Sequence, residues 1–159
     1  MKTLFAFLSA SAVTAAFSAN AFGATPDVYV VNFRKDSNAD SAALERQIYP
    51  ALSIVGDTAE HVIIDTSTAA RWEKGAHEAF DREIVPVFNK WVGLPGFAAI
   101  IDAKTKTVLG CVNGNFQAYE MAEEIKKMSA RVKGTAYMSR AAFSGKSTQC
   151  PPAFNTPPK

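Results

Sequence analysis

From Asp27 to Phe33 the chain reads Asp-Val-Tyr-Val-Val-Asn-Phe, a nearly unbroken β-branched and aromatic run. Such a run predicts a strand buried on both faces of a sheet. The polar stretch Arg34–Asp40 follows, and either Asp40 or Ser41 is expected to cap the next helix, with Glu45 near its positive end. Leu44, Ile48, Leu52 and Val55 recur at helical spacing with Ala51 between them, and Pro50 inside the pattern predicts a kink. Gly56-Asp57 ends that helix, and His61–Asp65 reads as a second strand.

The middle of the chain is less regular. Ala69, Trp72, Ala76 and Phe80 fit one helical face, although Gly75 weakens the pattern. Pro86 opens a short helix carrying Val87, Phe88 and Trp91. Two apolar runs, Phe97–Ile101 and Val108–Val112, flank a polar turn and predict a hairpin. Gly110 within it implies a bulge or a close backbone approach. After the Asn113-Gly114 turn, a helix from about Phe116 to Val132 has Met121, Ile125, Met128 and Val132 as its apolar stripe. Its Glu123, Glu124, Lys126 and Lys127 are expected in water, with Glu123 and Lys127 in favourable i,i+4 order. Gly134 should stop it, and the remaining tail is too rich in proline for a helix or central strand.

Export changes the context. Met1-Lys2, an apolar run from Thr3 to Phe17 and small residues at Ala19 and Ala21 predict a signal peptide over residues 1–21, cleaved before Phe22 or after Gly23. No later segment is apolar enough to span a bilayer, so no stable membrane insertion is expected after cleavage. The expected compartment is the periplasm, with secretion as the alternative. A domain over residues 22–133 and a proline-rich tail over 134–159 remain. The formal net charge is +2 and the basic residues are scattered, which gives nucleic-acid binding no support. In an oxidising compartment Cys111 and Cys150 are expected to form a structural disulfide; the alternative is a redox couple, but Cys-x-x-Cys spacing is absent.

The order strand, proline-bearing helix, strand, helices, hairpin, helix resembles the thioredoxin-like superfamily from about Val28 to Val132. Pro50 is placed like the proline of that family's first helix. Val92-Gly93-Leu94-Pro95-Gly96 before the hairpin looks like its cis-proline loop. The resemblance implies an α/β fold, a three-layer α/β/α sandwich with a mixed sheet. Counting back from Pro50, the family's dithiol would fall near Ala42-Ala43-Leu44-Glu45, where no thiol stands. Thiol–disulfide exchange therefore does not carry over. The architecture is also similar to exported thioredoxin-like components of bacterial conjugation and secretion systems.

These readings lead to an exported, non-catalytic binding or assembly module with an envelope protein partner and no cofactor. Trp91, Gly93, Leu94, Pro95 and Gly96 form its candidate partner-binding loop. The alternatives are a periplasmic thiol–disulfide oxidoreductase or isomerase using Cys111 and Cys150, and a periplasmic small-ligand binder. His61 and His77 are too few and too far apart for a metal signature. Asp65 and Asp102 both end strands and read as turn formers rather than as an acid–base pair. Trp72, Phe80, Phe88 and Trp91 are expected in the core, with part of the group free to border the Pro95 loop.

Overall fold

The apolar run at the start of the domain forms strand β1 (Val28–Arg34), with side chains buried alternately on its two faces. The computed structural model describes residues 25–138 and 146–154; the expected signal peptide and its cleavage sites lie outside the described residues. Helix α1 (Ala39–Val55) follows, then a 3-10 turn and strand β2 (Ala59–Asp65). Helices α2 (Ala69–Asp81) and α3 (Val85–Trp91) lead to the hairpin of β3 (Phe97–Asp102) and β4 (Val108–Asn113), and α4 (Ala118–Val132) closes the domain. No described helix is long and apolar enough to cross a membrane.

The sheet is open and mixed, in the order β2-β1-β3-β4. β2 runs parallel to β1, whereas β3 is antiparallel to β1 and β4 to β3. Period-two alternation divides the core. Val28, Val30, Ala98 and Ile100 face α1 and α4, while Val31, Phe33, Ala99 and Ile101 face α2 and α3. The result is an α/β domain with helices on both sides of the sheet.

Several local expectations change in three dimensions. α1 is capped by Asn38, whose Oδ1 accepts from the Ser41 amide at 2.8 Å, so neither Asp40 nor Ser41 is the cap. Ser41 instead turns inward and accepts from the Lys35 amide. α1 runs through Pro50, which is exposed; the Arg46 carbonyl that loses its donor belongs to an exposed residue too.

The helix expected at Ala69–Phe80 forms, but it turns a different face to the sheet. Gly75 and Ala79 are its buried residues, while Trp72 and Phe80 are 46% and 72% exposed. The reason is proximity. A Cβ on Gly75 would stand 3.4 Å from the Ile64 Cα, so α2 lies too close to β2 for large side chains between them. Trp72 is displaced to the rim, edge-on to Phe88.

On α4 the buried arc is wider than one stripe, because the helix packs against both the sheet and α1. Met121, Ala122, Ile125 and Met128 are buried as a group, and Glu123, expected in water, is buried with them. Lys127 reaches Glu124 at 3.4 Å. Gly134, at φ +67°, ends the helix as expected. Gly110 shows both predicted features: it pairs with Ile100 at the register shift, and it is crowded by the Met128 methyl and the Thr148 carbonyl.

Candidate functional site

The end of the sheet that carries Arg34 and Asp65 also receives the start of α1 and the loop after α3. Phe33 extends its carbonyl to the Gly96 amide at 2.8 Å, which brings the loop beneath α1. Gly96 has φ +96°, and a Cβ there would stand 2.5 Å from the Asp40 Cβ. Only glycine satisfies both the backbone and the space. The first turn of α1 beside this loop is therefore Asn38–Ser41. Ala42–Glu45, reached by counting back from Pro50, continues the helix immediately after it. No thiol occupies either stretch. No peptide bond among the described residues is cis, so Pro95 departs from the resemblance in its geometry as well.

The proline-rich segment builds the adjoining wall. Along the free edge of β4, the Cys111 amide donates to the Thr148 carbonyl at 2.8 Å, and Cys111 is bonded to Cys150. The Trp91 indole Nε1 donates to the Pro151 carbonyl at 3.1 Å, and the Phe154 amide donates to the Lys90 carbonyl at 3.0 Å. The Phe154 ring lies over Gly93, where an added Cβ would meet it at 2.9 Å. The tail thus covers an edge strand that would otherwise present unpaired amides.

Between these parts lies a cleft of about 630 Å³. Leu94, Pro95 and Gly96 line it, as do Asp40 from α1, Asn113 and Asn115 from the turn before α4, and Gln149, Cys150 and Pro151 from the tail. Its volume falls within the roughly 300–1,000 Å³ usual for ligand clefts. Of the sequence-predicted loop, three residues reach the cleft and two do not. Gly93 is under Phe154, and Trp91 is a fully buried core residue, edge-on to Phe33 and Phe97. Cys111 is buried while Cys150 borders the cleft.

Sequence reasoning missed Asn38, Asp40, Asn115 and Gln149. The signal available for the first two was the Asn-x-x-Ser spacing, a helix cap three residues before a partner amide. Nothing local marks Asn115 or Gln149, which meet the cleft only through the fold.

A second concavity of about 380 Å³ runs beside β2 and is lined by Arg34, His61, Asp65, Arg71, Lys74 and Arg82 among others. Most of its charges neutralise one another. Arg34 and Arg71 both bridge Asp65 and Asp36, and Arg82 bridges Glu60 and Glu78. Burial pushes the Asp65 carboxyl up, but the Ser67 hydroxyl and amide, then Arg34 and Arg71, outweigh it and hold it below the usual range. Asp102 lies at the far end of the sheet, opposite Val28, whereas Asp65 lies opposite Arg34, so the two carboxylates are not an acid–base pair. Asp102 is a turn former, as expected, accepting from the Lys104 and Thr105 amides.

His61 packs edge-on against Tyr49, and burial lowers its pKa. Among the described residues no group of three or more His, Cys, Asp or Glu side chains is placed to hold a metal ion. Compared with protein-family models, characterised proteins and solved structures, the chain matches none of them at a significant level.

Proposed function

We propose that this protein is an exported thioredoxin-like domain that has kept a docking cleft without the dithiol, and that it serves as a non-catalytic binding or assembly module for a protein of the cell envelope. The observation that carries the reading is the chemistry of the cleft. The turn of α1 facing the Pro95 loop holds Asn38 and Asp40, and the chain's two cysteines are joined to each other. A thiol catalyst needs an accessible thiolate and a second thiol to resolve the mixed disulfide. Here the bridge fastens the tail to the outer edge of β4 instead. The sheet order and the two helix layers support the thioredoxin-like assignment; the apolar run before Ala19 and Ala21 supports export to the periplasm. The architectural likeness to exported conjugation and secretion components favours an assembly machine as the setting.

Insulin reduction and refolding of a scrambled substrate test the non-catalytic part directly. The mature protein should show no turnover above the uncatalysed rate. Turnover that disappears in a folded Cys111→Ser variant would overturn the proposal in favour of an oxidoreductase. Photo-crosslinking from Asn115 in the native envelope should then capture a protein partner.

A further inference from the structure

The cleft has a mixed polar lining with one charge. Among the described residues, Asp40 is the only charged side chain that lines it. Because Asn38 caps α1, the Asp40 carboxylate has no amide to serve, and it makes no hydrogen bond or ion pair among the described residues. The loop beside it adds acceptors only. The Leu94 amide is engaged by the Trp91 carbonyl and Pro95 has no N–H, whereas the Leu94 and Pro95 carbonyls accept nothing among the described residues. Asn115 and Gln149 side-chain amides, equally unengaged, can bond to either polarity. Leu94, Pro95, Phe97 and Pro151 provide apolar walls.

Resting on the binding-module reading, we propose that the cleft takes an extended peptide segment of its partner through a lysine or arginine side chain set against Asp40. An unpaired carboxylate with no lining cation among the described residues is complemented by a cation, and an ammonium or guanidinium is the cationic, donor-rich group of a peptide. An apolar neighbour in that peptide packs against Leu94 and Pro151. The tail supplies part of this site, so the Cys111–Cys150 bridge holds the cleft in shape. An acidic segment is disfavoured because no lining cation among the described residues compensates Asp40.

The test uses the mature protein and acetylated, amidated hexapeptides with a central Arg between Leu residues, with Gln and Glu versions as controls. Binding is followed by amide chemical-shift changes at Gly96 and Asn115. The Arg peptide should bind roughly three- to tenfold more tightly than the Gln peptide, with the Glu peptide weakest. Asp40→Asn should abolish that ranking without shifting the Tm, and Asp40→Lys should reverse it. Cys150→Ser should weaken all three peptides. Equal binding of the three, a preference for Glu, an Arg preference that survives Asp40→Asn, or no Arg-peptide binding at millimolar concentration would each overturn the inference. Acetyl-arginine amide binding as tightly as the hexapeptide would overturn the extended-peptide part. None of these outcomes restores thiol chemistry, so the binding-module reading is judged separately, by its turnover assays and crosslinks.

Discussion

The two helix layers cover the sheet by different means. On one face α1 and α4 lock large aliphatic side chains together, with Leu44, Ile48, Met121 and Ile125 fully buried. On the other, α2 meets β2 through Gly75 and Ala79, and most of the bulk comes from Phe33, Phe88, Trp91 and Phe97. α1 and α2 both carry apolar residues at helical spacing. Only in α1 is that stripe the buried face. Amphipathic spacing therefore shows that a helix has a side to hide, while neighbouring backbone decides how near that side can come.

The sharpest way to break this comparison is to truncate one residue from each stripe. Leu44→Ala should cost about 2–5 kcal/mol, because a fully buried side chain leaves a cavity. Phe80→Ala, 72% exposed at the start, should change stability by about 0.5 kcal/mol or less. Urea midpoints on the two variants decide it; equal losses would mean that α2 buries Phe80 after all. Trp91→Ala belongs with Leu44, since it empties the aromatic core and removes the indole bond to the tail.

Next in size is the bridge. Its cysteines are 39 residues apart, and a loop of that length corresponds to about 3–4 kcal/mol by chain entropy. Reduction should lower the Tm while the β1 and β3 amides stay protected from hydrogen exchange. Loss of protection throughout would show that the tail is part of the folding unit rather than a strap on it.

Gly75 offers a finer test of proximity. Gly75→Leu should destabilise by about 1–3 kcal/mol through overpacking against Ile64. Gly75→Ala meets that backbone at ordinary contact distance and gains helix propensity, so it should be neutral or stabilising by up to about 1 kcal/mol. Thermal melts of the two variants should move in different directions.

The smallest expected effect concerns pH. Burial lowers the His61 pKa, so the unfolded chain takes up a proton that the folded chain resists. Its contribution is intact above about pH 6.5, the unfolded value, and declines as the pH falls below it. His61→Phe should flatten this part of the stability–pH profile. A profile unchanged by the substitution would remove His61 from the account.

Much of the fold was legible because backbone periodicity and turn chemistry are local. Val28–Phe33, the Leu44–Val55 stripe, the hairpin runs, Gly134 and the hazard of a bulge at Gly110 were all visible as residue types at particular spacings. The site was legible only in part. Leu94, Pro95 and Gly96 stood out because Val92–Gly96 before the hairpin resembles the proline loop of thioredoxin-like proteins. Asp40 did not, because Asn38, Asp40 and Ser41 are all competent caps and local chemistry does not rank them.

By itself, then, the sequence determined the succession of elements, the absence of a Cys-x-x-Cys dithiol and the presence of two cysteines able to pair. Those depend on composition and on contacts within a few residues. Tertiary structure decided which side of α2 meets the sheet, where Glu123 goes, which residue caps α1, and that Trp91 is core rather than a docking surface. It also assembled the cleft from Asp40, Leu94, Asn115 and Gln149, residues from four parts of the chain. Such choices depend on how closely two backbones approach and which amide finds a partner first, and both are settled between segments, not within them.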